Sequence, residues 1–176
     1  MNRSRRTRLM VQAALIAALY AALTLLAMAT PIGALFFGQI QVRVPEALTI
    51  LPFFTPAAIP GLFVGCLVSN LVGATAGLGC GVWDVIFGSL ATLLAAWLSS
   101  KMPKRWLAPL PPVLVNAVVV GAMFHLVAGL PWAFSMLTVG LGQAVACYGL
   151  GYPLLLLLER VGGSLFPKED RPSRRA

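Results

Sequence analysis

Apolar residues run along this chain in long blocks, and the few polar ones fall between the blocks or at a handful of interior positions. The blocks lie at roughly 9–29, 40–54, 56–73, 82–100, 110–129 and 134–158. They are separated by TPIG at 30–33, FFTP at 53–56, GATAGLGCG at 73–81, PLPP at 109–112 and GLPW at 129–132. Those breaks carry turn and helix-start chemistry. A membrane-crossing helix needs about 20 apolar residues. The pattern therefore predicts an all-α integral membrane bundle of six transmembrane helices, one of them short.

The short one is the second. Pro45 suits a first helical turn, where its missing N–H costs nothing. An α-helix from Val44 to Phe54 would measure about 17 Å at about 1.5 Å per residue, against about 30 Å of hydrocarbon. Residues 33–43 are thus expected as a lid loop over the outer mouth of the bundle. Irregular backbone at membrane depth is tolerated only inside protein or beside a cavity.

Composition sharpens this reading. The chain is 59% hydrophobic and 10% charged, against about 45–50% and 25% for soluble domains. The net charge of +8 does not point to nucleic acid, because 12 of the 13 basic residues flank the apolar blocks. Arg3, Arg5, Arg6 and Arg8 form one cluster. Lys101, Lys104 and Arg105 form a second, and Arg160, Lys168, Arg171, Arg174 and Arg175 a third. Basic residues collect on the cytoplasmic side, so both termini are expected there. The expected organisation is a basic N-terminus at 1–8, a transmembrane substrate-binding domain at 9–160 and a flexible basic tail at 161–176. The first block exceeds the usual length of a signal-peptide core and reads as an uncleaved helix.

Only Arg43 breaks the flanking pattern, and Glu46 follows it three positions later. On a helix that spacing allows a pair, so the two read either as a lid salt bridge or as ligand contacts. The six-helix topology also places Asn70, Asp84, His125 and Gln143 in the outer half, with Gln39 and Gln41 before the second helix. Each has a plain structural reading: a helix cap for Asp84, an interfacial ring for His125, interhelical hydrogen bonds for Asn70 and Gln143. Together they suggest a pocket for a small polar ligand entering from outside. Asn116 lies deeper and reads as structural. Cys66, Cys80 and Cys147 lack metal or redox spacing and read as small packed residues. No metal or cofactor is expected.

No enzyme is expected either. The chain has one histidine and no HExxH, GxSxG or Walker A motif. Small residues recur every four positions on the first helix, at Ala13, Ala17, Ala21 and at Ala14, Ala18, Ala22. Gly61 and Gly65 form a similar row on the third. Such rows allow close helix approach, either within the bundle or to a partner.

QVRVPEALTILPFFTPAAIPGLFVGC (41–66), DVIFGSLATLLAA (84–96) and LAPLPPVLVNAVVVG (107–121) resemble the QueT family of queuosine-precursor transporters, over about residues 9–160. The family often has serine where this chain has Pro45, which bears on the lid geometry. The resemblance implies the substrate-binding S-component of an energy-coupling-factor (ECF) importer. Such a component binds its cargo from outside and docks through its alanine motif onto a transmembrane coupling protein that carries two ATPase subunits. The implied cargo is a 7-deazaguanine base or a related compound. Glu46 or Asp84 would accept from its guanine-like edge, with Asn70, His125 or Gln143 on its carbonyl, Arg43 in contact or pairing Glu46, and Trp83, Phe36 or Phe37 stacking. The alternative is a stand-alone transporter driven by an ion gradient, with Glu46, Asp84 and His125 as the possible proton carriers.

Overall fold

The computed structural model describes residues 3–30 and 42–161. Of the lid expected over 33–43, residues 33–41, with Phe36, Phe37, Gln39 and Gln41, lie outside the described residues, as does the tail from 162 onward.

The described residues form six helical segments and no strand. Helix α1 covers Arg3–Met28. A 3₁₀ helix follows at Val44–Phe53. Then come α2 at Ala58–Thr75, α3 at Asp84–Ser100, α4 at Leu110–Ala128 and α5 at Trp132–Val161. Among the described residues, four stretches are long and apolar enough to cross a membrane: Arg3–Met28, Ala58–Thr75, Arg105–Ala128 and Trp132–Val161. Val44–Phe53 and Asp84–Ser100 are shorter apolar helices. Large side chains such as Met10, Leu15, Leu26, Leu126 and Leu137 point outward, more than 60% exposed. A surface this apolar belongs in lipid, and the chain is a multi-pass membrane protein.

The second helical segment winds differently from the expected α-helix. Glu46 N–H donates to Arg43 O at 2.9 Å and Phe54 N–H to Leu51 O at 2.9 Å, both three residues back. Pro45 opens the helix and Pro52 sits inside it, where its missing N–H removes a hydrogen bond. Such a run rises about 2.0 Å per residue, and more than 3–4 residues is uncommon. Ten residues therefore reach about 20 Å, slightly more than the α-helical expectation and still short of the hydrocarbon. Every residue from Pro45 to Phe53 is buried, and the segment packs against α1, α2, α3 and α5.

Two glycines set the closest helix contact. A Cβ on Gly61 would lie 2.7 Å from Ala13 O, and one on Gly65 would lie 2.8 Å from Tyr20 Cβ and 3.0 Å from Ala17 O. The Ala13/Ala17 row of α1 is thus packed against α2 within the molecule. Ala14, Ala18 and Ala22 point the other way and are exposed. The main core joins Ile16, Tyr20, Leu62, Ala96, Ala108 and Leu155 around Leu48, Ile50, Leu51, Phe53 and Phe54 of the 3₁₀ helix.

Arg105 Nη1 lies 3.2 Å from Glu159 Oε2, which puts the second basic cluster beside the end of α5. At the opposite end, α4 stops at Gly129 in the left-handed conformation (φ 68°), whose N–H caps His125 O. That is the αL stop glycine favours.

Candidate functional site

Five of the buried polar side chains, Arg43, Glu46, Asn70, Asp84 and Gln143, lie away from the end of the bundle that carries Lys101 and Arg105, where Ser99 and Ser100 are buried separately. Arg43, just before the 3₁₀ helix, donates from Nη2 to Asn70 Oδ1 at 3.0 Å. Asn70, on α2, donates from Nδ2 to Asp84 O at 2.9 Å, with Cys66 Sγ at 3.3 Å and Ser89 Oγ at 3.4 Å also in reach. Gly88 leaves room for that amide, since a Cβ there would lie 3.1 Å from Nδ2.

Glu46 finds its partner on α1. Tyr20 OH donates to Glu46 Oε1 at 2.6 Å. The other oxygen, Oε2, is buried and meets no hydrogen-bond donor among the described residues. The Glu46 backbone is held as well: its carbonyl accepts from Thr49 Oγ1 at 2.6 Å and from Cys147 Sγ at 3.7 Å. Cys147 also reaches Gln143 Oε1 at 3.7 Å. Arg43, Glu46, Asn70, Asp84 and Gln143 are each at most 5% exposed. A buried polar group without a partner costs about 1–3 kcal/mol, which makes Glu46 Oε2 the most conspicuous polar atom of the group.

The two carboxylates differ. Asp84 Oδ2 accepts the Cys80 N–H at 2.5 Å. It thereby fastens a loop in which Gly77, Gly79 and Gly81 all have positive φ. Cys80, in that loop, has its thiol pushed up to about 11 by partial burial and, secondly, by the neighbouring Asp84 charge.

The helices depart from α geometry where they border this group. Besides the 3₁₀ helix, Asp84–Gly88 and Val145–Gly151 are wound as π-helix. The first carries Asp84 and Gly88, the second Cys147 and Gly151. A Cβ on Gly151 would lie 3.0 Å from Ala47 O, so this glycine lets α5 close onto the 3₁₀ helix. Such π segments frequently occur at functional sites.

Two expected residues stand apart. His125 is exposed, with Nδ1 at 2.7 Å from Leu130 O and its ring stacked on Trp132. The ring thus has a backbone partner rather than a partner in the buried polar group. Trp83 is 51% exposed and stacks on Phe87 with centroids 5.8 Å apart. Both rings line an apolar cavity of about 500 Å³ with Val118, Ala122, Met123 and Leu126. Asn116 is buried, and Cys66 and Cys147 are buried as small packed residues. Sequence reasoning missed Tyr20. The structure shows it to be, with Ile16 and Thr24, one of the buried positions of α1, which an alanine- and leucine-rich helix does not reveal from its sequence.

Comparison with known proteins places this geometry in context. The chain matches the QueT transporter family over residues 10–160. It is similar to the protein named queuosine precursor transporter QueT of Lactococcus lactis subsp. cremoris (strain MG1363), 40% identical over 86 residues. That alignment covers 48% of this chain and 44% of the relative, so the chain is matched to less than half of the relative's length. No solved structure matches.

Proposed function

The chain belongs to the QueT transporter family, and on that premise we propose that it is the substrate-binding component of an ECF-type importer for a queuosine precursor. In this reading the bundle crosses the membrane six times, with α3 and the 3₁₀ helix as its short members. The basic clusters and both termini face the cytoplasm, and the buried polar group faces the outer leaflet. Residues 9–160 form the binding domain.

The observation that carries the reading is Glu46: a carboxylate 1% exposed, one oxygen held by Tyr20 and the other without a donor among the described residues. An ionised carboxylate accepts hydrogen bonds only. Its natural complement is a ligand edge carrying adjacent N–H donors, as the N1–H and exocyclic amine of a 7-deazaguanine base do. Such charge-assisted contacts are the strong ones. Asp84 is committed to its loop, so Glu46 takes the donor edge. Arg43, Asn70 and Gln143 supply the surrounding polar wall. Phe37 remains the proposed stacking ring, with Trp83 and His125 toward the rim.

Energy comes from partner subunits: a transmembrane coupling protein and two ATPases. The exposed Ala14/Ala18/Ala22 row is the docking face for the coupling protein. Ala13, Ala17 and Ala21 shape the same helix from its inner side. The cargo is a small molecule, and neither a cofactor nor a metal is assigned to this chain.

The test is mass spectrometry of small molecules retained by the purified protein, followed by direct binding of 7-deazaguanine. Retention or micromolar binding of a 7-deazapurine supports the reading. Uptake in cells that survives ATP depletion but fails without an ion gradient would replace it with a stand-alone transporter.

A further inference from the structure

We infer that Tyr20 is a positioning residue for ligand recognition, setting the direction in which Glu46 presents its second oxygen. This rests on the reading of Glu46 as the carboxylate that takes the donor edge of the ligand.

Tyr20 is fully buried on α1, 26 positions from Glu46 in sequence, and their 2.6 Å contact joins two separate helices. A buried carboxylate on a glutamate stem has three rotatable bonds, so its backbone position alone does not aim it. Here the backbone end is held through the Glu46 carbonyl by Thr49 and Cys147. The carboxyl end is held by the Tyr20 phenol. With both ends held, Oε2 keeps one direction, and the order is present before any ligand arrives. Preorganisation of this kind strengthens binding by removing ordering costs.

Tyr20 is itself placed by the glycine packing. Gly65 has no side chain where Tyr20 Cβ would otherwise collide at 2.8 Å. The α1–α2 contact therefore fixes the phenol, and the phenol fixes the carboxylate. Thr24, the next buried residue on that face, is turned back onto Tyr20 O at 3.0 Å and leaves the phenol as the polar reach of α1 into the site.

The consequence is selective. A directed Oε2 discriminates a base bearing the exocyclic amine from one lacking it, because loss of the amine leaves a fixed acceptor unsatisfied. A carboxylate free to turn would find another donor or the ring N–H and discriminate less. Sites built to hydrogen-bond a group reject analogues lacking it most strongly.

The experiment compares binding of 7-deazaguanine and 7-deazahypoxanthine to full-length wild type, Tyr20→Phe and Gly65→Ala proteins, with ligand-free melting temperatures alongside. Gly65→Ala displaces Tyr20 without removing its hydroxyl, and it stands in should Tyr20→Phe fold poorly. The expected result is that Tyr20→Phe weakens 7-deazaguanine by about tenfold and 7-deazahypoxanthine by less than about twofold. In a Glu46→Gln background the same substitution then changes either affinity by less than about twofold, since partners in one hydrogen-bond pair are non-additive. Equal weakening of both bases would make Tyr20 a packing residue and overturn the inference, as would unchanged affinities. Wild-type protein that binds neither base would instead overturn the underlying assignment of Glu46, and the role of Tyr20 with it.

Discussion

Gly61 and Ala13 face each other so closely that a methyl group on the glycine would sit 2.7 Å from the alanine carbonyl oxygen. The obstacle is backbone, which cannot rotate away as the end of a flexible side chain can. Gly61→Ala should therefore force α1 and α2 apart and lower stability by about 1–3 kcal/mol, the usual range for overpacking. Thermal unfolding of the detergent-solubilised protein checks this. The companion substitution Gly77→Ala is expected to cost about 1 kcal/mol through its φ of +72° alone, because nothing lies within 4 Å of the added carbon.

Glu46 and Asp84 separate under neutralisation. Glu46→Gln replaces one acceptor oxygen by an amide that donates, so a donor edge on the ligand meets a donor. Binding of a 7-deazaguanine base should fall by at least about tenfold, the scale of one charged hydrogen bond. Asp84→Asn keeps an acceptor for the Cys80 N–H and should cost less than about fivefold. Isothermal titration on both variants decides the order; a larger loss at Asp84 would reverse the roles given to the two carboxylates.

The contrast shows what the sequence made legible. Six apolar blocks became six helical segments, because burial in lipid leaves hydrophobicity as a strong and simple signal. Arg43, Glu46, Asn70, Asp84 and Gln143 were visible as polar exceptions, and all are buried. Tyr20 was not visible. In a helix of alanine and leucine, the lipid face and the protein face are both apolar, so periodicity does not say which way a tyrosine points. The 3₁₀ winding of Val44–Phe53 was hidden for another reason. Pro45 reads equally well as an α-helical start, and the effect of Pro52 depends on the helices packed around it. His125 carried a chemical signal as the one histidine, yet its ring is turned onto a backbone carbonyl and Trp132.

The two alanine rows of α1 predict opposite phenotypes. Ala17 abuts Gly65, so Ala17→Leu should destabilise the folded chain by about 1–3 kcal/mol. Ala18 is exposed, and Ala18→Leu should leave the melting temperature and ligand affinity within error, since surface changes usually stay within about 0.5 kcal/mol. Uptake by cells carrying Ala18→Leu should nevertheless collapse if this face seats the coupling protein. Normal uptake with that variant would remove the docking role of the outer row.

His125→Ala supplies a further discrimination at the same end of the bundle. The ring contacts Leu130 O and Trp132 rather than the Arg43–Asn70 pair. Its removal should change ligand affinity by less than about threefold, while the exposed α4–α5 turn loses one hydrogen bond, about 0.5–1.5 kcal/mol. A tenfold loss of affinity would bring the histidine into the site.

Cys80 offers a probe of the loop that Asp84 fastens. Cys66 and Cys147 are buried, whereas Cys80 is partly accessible. Its thiol is pushed up to about 11, first by burial and then by the Asp84 charge. The thiolate is the reactive species, so maleimide labelling should be slow at pH 7.5. The rate should rise about tenfold per pH unit and continue rising past about 8.5, where an ordinary cysteine levels off. Asp84→Asn removes the negative neighbour, lowers the thiol value toward that of an ordinary cysteine and should speed labelling at every pH below 11. A labelling rate that plateaus near pH 8.5 in the wild type would mean that the Cys80 thiol is fully solvated, and a rate unchanged by Asp84→Asn would mean that the Asp84 charge does not reach the thiol.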